Sequence, residues 1–256
     1  MARETCTPAD VPGAPAANLA DDVAAGIKRP YGALVLCSGG VDSSTLLALA
    51  VTAHGAQHVT ALSISYGQKH DREIASARAV AAHYGVEQRF LDLASIFADS
   101  DCSLLAHSDA QVPHETYADQ QREAEGTPVS TYVPFRNGLF LSAAASMALS
   151  LDARVLYYGA HADDAAGNAY PDCSPAFIAL MDGAIREGTA GEMRIEAPFA
   201  SWNKARIVRE GLALGVPYEK TWSCYEGGAR PCGVCGTCRD RIAAFEANGT
   251  IDPLMR

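Results

Sequence analysis

Short apolar runs alternate with amphipathic segments along most of the chain. Apolar runs at 33–37, 59–63, 88–93 and 154–159 predict β-strands. Apolar residues at helical spacing predict helices at 43–54, 71–84, 137–149 and 201–214, and glycines stand where two of these helices should end. Because strands and helices alternate, the pattern predicts an α/β fold with a doubly wound, mostly parallel sheet that is covered on both faces.

Two regions depart from this alternation. Between about 99 and 131 regular patterning fails for roughly thirty residues, which predicts a lid-like insertion, with a disordered surface insertion as the alternative. Residues 1–30 are rich in Ala, Pro and Asp and lack the basic start and apolar core of a signal peptide, so they predict a loose extension. We therefore expect one α/β domain over 31–220 and a small C-terminal segment over 221–256 packed on the same unit.

Charge and cysteine usage narrow the classes of function. Lys and Arg number 20 against 30 Asp and Glu, for a net charge of -10, which disfavours direct nucleic-acid binding. No apolar run reaches the ~18 residues of a membrane span. Four of the eight cysteines crowd near the C-terminus, and this favours a metal site in a reducing compartment, the cytoplasm, over a disulfide framework.

The glycine-rich segment 38–44 lies between the first predicted strand and the first predicted helix. Open α/β sheets bind ligands at this position, glycines let backbone N–H groups approach an anion, and a helix N-terminus favours negative charge. The segment therefore predicts a phosphate site, in which Asp42 would bind Mg²⁺ or cap the helix; a turn without a ligand is the alternative. It is neither a Walker A loop nor a dinucleotide fingerprint. Cys37, which precedes it, is expected to be an inert packing residue.

The C-terminal cysteines have the spacing of a metal site. They are Cys224, Cys232, Cys235 and Cys238. Gly233 and Gly236 allow the chain to turn between ligands, and four thiolates suit tetrahedral Zn²⁺ with no open position, so a structural zinc is predicted. Arg239 and Arg241 are expected to offset the negative charge of such a site. An iron–sulfur cluster is the alternative.

Polar residues after predicted strands, or at the start of predicted helices, are further candidates. Tyr66 and His70 would contact a nucleotide or an incoming amine, although a tyrosine there is as often packing. Arg136, beside Asn137, suits a carboxylate or phosphate, with a structural salt bridge as the alternative. Lys204 is placed to reach a phosphate, with a solvated lysine as the alternative.

Acidic residues after the fourth predicted strand form a second group of candidates. His161, Asp163 and Asp164 have the composition of a metal or substrate site, and a polar loop explains them nearly as well. Asp172 would accept hydrogen bonds from a guanine-like edge or serve as an ordinary turn aspartate.

The segment Ser-Gly-Gly-Val-Asp-Ser resembles the pyrophosphatase loop of the N-type ATP pyrophosphatases, which activate carbonyl oxygens as adenylates. The resemblance implies a Rossmann-like fold of the adenine nucleotide alpha hydrolase type, with ATP and Mg²⁺ bound and AMP and pyrophosphate released. It implies catalytic roles for Asp42, Ser43 and Lys204. The nucleotide-binding residues would be Ser38, Gly39, Gly40, Val41, Asp42, Ser43 and Ser44.

Four further segments resemble the 7-cyano-7-deazaguanine synthase family: 66–70, 131–137, 170–173, and 221–225 with the later cysteines. The resemblance runs from about 34 to 253 and implies conversion of 7-carboxy-7-deazaguanine and ammonia into a nitrile on the route to queuosine. It also implies a homodimer. The implied substrate-binding residues are Tyr66, Gln68, His70, Arg136, Asn137, His161, Asp164, Tyr170 and Asp172.

Some positions depart from the pattern of that family. Ser65 stands where the family has Asp, Phe135 where it has Gly, and Ser174 where it has Arg, and the loop 161–168 is longer. These changes surround the expected base and acceptor sites. The first alternative is therefore a relative that stops at the amide or uses another amine, such as a protein N-terminus. A tRNA-thiolating ligase is the second alternative, and an inactive nucleotide-binding subunit is the third.

Overall fold

The computed structural model describes residues 31–115, 119, 120, 122 and 127–256. The strands are β1 (Gly32–Leu36), β2 (Val59–Ser65), β3 (Glu87–Asp92), β4 (Ala153–Tyr157) and β5 (Arg194–Glu196). The helices are α1 (Val41–His54), α2 (Arg72–Tyr84), α3 (Arg136–Ser150), α4 (Ala162–Ala165), α5 (Pro175–Gly188), α6 (Lys204–Ala213) and α7 (Gly236–Glu246). The predicted N-terminal extension and part of the predicted insertion lie outside the described residues.

The described strands form one sheet in the order β3-β2-β1-β4-β5, and every pairing is parallel. This confirms the α/β fold class and the parallel sheet. The chain runs outward from β1 through β2 to β3 and then returns to the other side of β1 at β4. The direction of winding thus reverses between β1 and β4, and a crevice for ligands forms at the carboxyl ends of strands at such a switch point.

Hydrophobic cores lie on both faces of the sheet. Val35 of β1 packs in the cluster that contains α1, while its neighbour Leu34 packs in the cluster that contains α3, since consecutive strand residues point to opposite faces. Phe245 of α7 is fully buried in the first cluster, so the C-terminal segment belongs to the same folded unit. None of the helices in the described ranges has the length and apolar character needed to cross a membrane.

Element boundaries follow local capping chemistry. The predicted helix 71–84 ends at Gly85, whose φ of 65° is left-handed as a glycine C-cap requires. The helix predicted from 201 begins at Lys204 instead, because the Asn203 side chain accepts a hydrogen bond from the Arg206 amide at 2.9 Å. Helices α5 and α7 and strand β5 were not predicted. Ser174 caps α5 by accepting from the Phe177 amide at 3.1 Å.

The described part of the insertion packs against the end of β2. Cys102, Leu104 and Leu105 are buried in a cluster with Tyr66 and Phe97. Leu105 also forms an isolated antiparallel bridge with Gln68. A disordered surface insertion would not bury its apolar residues, so packing favours the interpretation of this segment as a wall beside the crevice.

Candidate active site

A cleft of about 260 Å³ opens at the carboxyl ends of β1, β2 and β4. Predicted site residues on its wall are Ser38, Gly40, Asp42, Ser43, Tyr66, Gln68, Arg136, Asn137, Asp164, Tyr170 and Lys204. Residues on the wall that were not proposed as individual site residues include Glu73, Thr131, Phe140, Tyr158, Trp222 and Tyr225. The topology therefore brings most of the predicted residues together at the edge of the sheet where the strands have their carboxyl ends.

The glycine turn forms one end of the cleft, which we call the phosphate end. Gly39 has a φ of 85°, and a Cβ there would collide with the backbone of Glu73 and Ala77, so this position requires glycine. The Ser43 hydroxyl accepts from the Gly39 amide at 3.1 Å. No side chain caps α1 at Gly40, and the first N–H groups of this helix are thus available to an anion.

Two predicted members of the turn have side chains outside the cleft. Val41 and Ser44 are buried at 1% and 0% exposure, and neither side chain lines the cleft wall. Their predicted contacts with a nucleotide would have to be made by backbone N–H groups. Cys37 is also buried, and burial raises the pKa of its thiol to about 11, as expected of an unreactive cysteine.

Lys204 closes the phosphate end through a set of charged partners. Its ammonium donates to Asp42 Oδ2 at 2.6 Å and lies 3.3 Å from His161 Nε2. His161 Nε2 is in turn 3.3 Å from Asp164 Oδ2, and the Lys204 backbone amide donates to Asp163 Oδ2 at 2.8 Å. His161 itself is 4% exposed and does not line the cleft, so it supports Lys204 from behind.

The pair of Asp42 and Lys204 stays charged at neutral pH. Burial alone would raise the pKa of Asp42, but the Lys204 ammonium and His161 hold it below its usual value. Burial would lower the pKa of Lys204, but Asp42 and Asp164 raise it above its usual value. Asp42 Oδ1 is buried and has no hydrogen-bond partner among the described residues, which leaves an oxygen available to a cation.

Arg136 dominates the other end of the cleft, which we call the acceptor end. Its guanidinium carbon lies 4.9 Å from the ring centre of Tyr66 and 5.7 Å from that of Phe140, so two aromatic faces fix its position. Gln68 Oε1 accepts from the Tyr66 amide at 2.9 Å and thereby holds the turn that carries this tyrosine. Arg136 Nε is buried without a hydrogen-bond partner among the described residues.

Glu73, in the first turn of α2, also lies on the cleft wall. Burial raises the pKa of its carboxyl to about 7, and the nearby Arg136 charge only partly counters this. Sequence reasoning missed this residue. Acidic residues are common in the first turn of any helix, so nothing in the local pattern marked Glu73 as special.

Three predicted substrate residues lie away from the cleft wall: His161, described above, and also His70 and Asp172. His70 packs its ring against Gly227, where an added Cβ would lie 2.5 Å from the imidazole. Asp172 is 3% exposed, and its Oδ2 accepts from the Asn137 amide at 3.0 Å, so it supports the start of α3. Tyr170, two residues earlier, does reach the wall and lies 2.5 Å from Thr131 Oγ1.

The departures from the family pattern have local structural explanations. Phe135 adopts a left-handed φ of 51° and is 56% exposed. Its ring covers Gly138, where a Cβ would collide with it. Ser174 caps α5, as described above, and Ser65 is the last residue of β2. Glycine, the residue expected here from the family pattern, adopts such a left-handed backbone without strain.

The four C-terminal cysteines converge as predicted. Their sulfur atoms all lie within 4.8 Å of one another, and Cys232 Sγ is 3.9 Å from Cys238 Sγ. Tetrahedral Zn²⁺ with Zn–S bonds of about 2.3 Å requires S···S distances near this value, so the donor set fits a metal ion. The cysteines in the described part of the chain form no disulfide.

Arg241 does not offset the charge of these thiols, which makes that prediction wrong. It is buried, and its Nε donates to Asp252 Oδ2 at 2.7 Å while Nη1 donates to Thr221 Oγ1 at 2.7 Å. A buried guanidinium requires such partners, and the carboxylate that meets this need comes from the chain end. Arg239 remains beside the cysteine loop, where its Nε donates to the Val234 carbonyl at 2.9 Å.

The cysteine-bearing segment also borders the cleft. The Trp222 amide donates to the Gly39 carbonyl at 2.9 Å, and Trp222, Ser223 and Tyr225 line the wall. A metal bound by the cysteines would therefore hold in place residues that contact both ends of the cleft.

The parallel sheet, the switch-point cleft and a phosphate turn without a Walker lysine define an α/β enzyme of the ATP pyrophosphatase class. The U34-tRNA thiolase NcsA from Methanococcus maripaludis, solved with its [4Fe-4S] cluster, shares the fold with a TM-score of 0.51 at 13% identity, over 90% of this chain and 72% of that one. The family model described as "Queuosine biosynthesis protein QueC" matches residues 32–249, and the chain belongs to this family.

Curated relatives agree with the family model. A 7-cyano-7-deazaguanine synthase from Thermoplasma acidophilum is 43% identical over 228 residues, which cover 87% of this chain and 90% of the relative. A protein of the same name from Archaeoglobus fulgidus is 42% identical over 224 residues, covering 87% and 89%. The resemblance stated from the sequence motifs is thus confirmed.

Proposed function

We propose that this chain is an ATP-dependent ligase that converts 7-carboxy-7-deazaguanine and ammonia into 7-cyano-7-deazaguanine. The names of the curated relatives support this activity. The structural observation that carries it is one cleft that joins the phosphate turn and Lys204 to Arg136, whose buried Nε has no hydrogen-bond partner among the described residues. Such a cleft fits two anions that must react with each other, a nucleotide phosphate and a carboxylate.

At the phosphate end, the chain holds the leaving group. Backbone N–H groups at the start of α1 and the Ser38 and Ser43 hydroxyls bind the β- and γ-phosphates, which leave as pyrophosphate. The Lys204 ammonium, fixed by Asp42, balances the charge that develops there. Mg²⁺ fits beside the free Asp42 Oδ1 and would supply further neutralisation of phosphate charge.

At the acceptor end, Arg136 orients the substrate carboxylate. One carboxylate oxygen attacks the α-phosphorus of ATP, the bond to pyrophosphate breaks, and a carboxyl-adenylate forms. Ammonia then attacks the carbonyl carbon and loses a proton, AMP leaves, and the amide results. The amide oxygen then attacks the α-phosphorus of a second ATP and releases pyrophosphate, and loss of both amide N–H protons and of AMP leaves the nitrile. The protein acts by positioning and charge stabilisation, with no covalent nucleophile.

The cysteine set is proposed to bind one structural Zn²⁺, because four sulfur ligands leave no open coordination position. Elemental analysis should find close to one zinc per chain. A stoichiometric iron content with the visible absorbance of an iron–sulfur cluster would contradict the zinc assignment and favour the alternative cluster.

Product analysis tests the proposed reaction. The protein is incubated with Mg·ATP, ammonium and 7-carboxy-7-deazaguanine, and products are identified by mass spectrometry. Nitrile, AMP and pyrophosphate are expected. Accumulated amide, or AMP formed only with another amine such as a peptide N-terminus, would favour the related acyl-transfer activity. The absence of both AMP and ATP–pyrophosphate exchange would favour an inactive nucleotide-binding subunit.

We also propose a homodimer in the cytoplasm. Phe135 and Leu180 are 56% and 62% exposed at α3 and α5, and apolar residues on neighbouring helices suit contact with a second copy. The free described cysteines suit a reducing compartment. Light scattering should give twice the monomer mass for the wild-type protein and the monomer mass for Leu180→Glu. Cell fractionation should recover the chain with cytoplasmic proteins.

A further inference from the structure

Glu73 has no partner among the described residues, although other charged side chains line the same cleft. Three carboxylate residues line the described cleft wall: Asp42, Glu73 and Asp164. Asp42 pairs with Lys204 at 2.6 Å, and Asp164 Oδ2 lies 3.3 Å from His161. For Glu73 the structure gives no ion pair or hydrogen bond within the described residues. A desolvated carboxylate without N–H donors is unfavourable, so this side chain favours a ligand that brings N–H donors.

Glu73 and Arg136 face the same cleft without forming an ion pair. Their charges influence each other, yet they do not approach within the 4 Å of a salt bridge. The Tyr66 and Phe140 rings hold the guanidinium, at 4.9 Å and 5.7 Å from their centres. This separation suits a ligand that carries a carboxylate in one place and N–H donors in another.

The backbone of Glu73 is fixed relative to the phosphate turn. Its carbonyl oxygen packs so closely on Gly39 that a Cβ at that glycine would lie 2.5 Å away. The first turn of α2 therefore cannot shift without disturbing the turn that binds phosphate. A ligand held by Glu73 would accordingly be placed at a fixed distance from the nucleotide, which is what an activation reaction requires.

We propose that Glu73 binds the N–H edge of the substrate's guanine-like ring, with its two oxygens accepting from the ring N–H and the exocyclic amino group. The ring N–H and the amino N–H point in parallel, so they can donate to the two oxygens of one carboxylate, as the two N–H groups of an arginine do. Asp172, the residue expected from the sequence to do this, does not line the cleft wall, and its Oδ2 accepts from the Asn137 amide. The inference rests on the proposed function, because it assumes a deazaguanine carboxylate as substrate.

Substrate discrimination tests this role. AMP release is measured with 7-carboxy-7-deazaguanine and with the analogue that lacks the 2-amino group, for the wild-type protein, for Glu73→Gln and for Glu246→Gln, an exposed control on α7. A site that pairs a buried acceptor with a substrate N–H should prefer the guanine-like substrate by ~30-fold or more in kcat/KM. In Glu73→Gln the preference should fall to about 3-fold, with an unchanged KM for ATP, and Glu246→Gln should match the wild type.

Binding measurements keep the test decisive if Glu73→Gln is inactive. Calorimetry of the two carboxylates with each protein gives the ratio of their dissociation constants without catalysis, and circular dichroism checks the fold. An unchanged ratio of dissociation constants in Glu73→Gln overturns the inference. An unchanged preference in kcat/KM for the guanine-like substrate, with a lower kcat and a higher KM for ammonium, also overturns it and would assign Glu73 to binding of the amine. If the wild-type protein neither binds nor activates either carboxylate, the proposed function itself fails, and the inference fails with it.

Discussion

The two ends of the cleft differ in how their charged side chains are satisfied. At the phosphate end, Lys204 contacts Asp42 at 2.6 Å and His161 at 3.3 Å. His161 in turn contacts Asp164 at 3.3 Å. At the acceptor end, Arg136 Nε is buried without a hydrogen-bond partner among the described residues, and Glu73 has no ion pair there. At the first end the protein pairs the charged groups itself and leaves only Asp42 Oδ1 to a cation, whereas at the second end the contacts are left to a ligand.

This difference separates two tasks. A network of paired charges is held in place before ATP arrives and needs little rearrangement to stabilise a developing charge. Unpaired charges, by contrast, are satisfied only by a molecule of matching donors and acceptors, so they provide selectivity at a cost in stability. Changes at the phosphate end should therefore reduce the rate for every substrate, and changes at the acceptor end should alter which substrate is used.

The largest effect is expected for Lys204→Met. Loss of the ammonium removes the main positive charge at the phosphate end and leaves Asp42 buried without its partner. AMP release at saturating substrates should fall by about 10³-fold, in the range seen when one preorganised donor is removed. The exposed Lys220→Met serves as a control and should keep the wild-type rate. A loss smaller than about tenfold would show that Lys204 does not act on the reacting phosphates.

Arg136→Met should show the second largest effect, confined to the acceptor. The kcat/KM for the deazapurine carboxylate should fall by about 10²-fold because a bidentate contact is lost, while the KM for ATP stays unchanged. Arg136→Lys should not restore activity, since lysine lacks the planar fork and stacks poorly on Tyr66. Arg206→Met is a matched control, because Arg206 stacks on Trp202 at 4.1 Å, and neither residue lines the cleft. An equal rise in the KM for ATP in Arg136→Met would place this arginine at the nucleotide instead.

Cys235→Ser tests whether the cysteine cluster supports both ends of the cleft. Loss of one ligand should release the metal and lower Tm by more than ~5 °C, and both ATP and carboxylate binding should weaken, because Trp222 contacts the phosphate turn and Tyr225 lines the wall. Cys102→Ser, at a buried cysteine outside the cluster, controls for the loss of a packed thiol. Retained zinc with a normal Tm in Cys235→Ser would contradict the structural-zinc assignment.

The smallest effect is a pH-dependent gain in stability in Glu73→Gln. Burial raises the pKa of Glu73 from 4.5 to about 7, so the folded state holds this proton more tightly than the unfolded state. The stability that it contributes is present below the unfolded pKa and is lost as the pH rises through about 7. Glu73→Gln should therefore raise Tm by roughly 2–4 °C at pH 8 and change it little at pH 5. Equal shifts in thermal unfolding at both pH values would contradict the raised pKa.

The sequence predicts the parts of this molecule whose chemistry is local. The phosphate turn, the end of α2 at Gly85 and the spacing of the four cysteines are each specified by neighbouring residues, and the structure places them as expected. Helix α5 was missed although local signals for it are present: Phe177, Ile178, Met181 and Ile185 recur at helical spacing, and Ser174 followed by Pro175 marks a helix start.

The acceptor end was less predictable because its contacts are made across long separations in the chain. Asp172 and Glu73 are both acidic residues beside loops or helix starts, and their sequences do not distinguish them. What separates them is that Asp172 lies off the cleft wall with its Oδ2 bound to the Asn137 amide, 35 positions away, whereas Glu73 lines the cleft without a comparable donor among the described residues. Likewise, the buried partner of Arg241 is Asp252, and nothing in the spacing of cysteines and arginines indicated this pair.

The hydrogen bond from Trp222 to Gly39 bears on the order in which this protein matures. It connects the first loop of the described fold to a residue close to the cysteine cluster, so it can form only after Trp222 has been synthesised. Because chains emerge N-terminus first, a nascent chain exposes its glycine turn well before the segment that buttresses it exists. A chain truncated before Trp222 should thus bind ATP poorly.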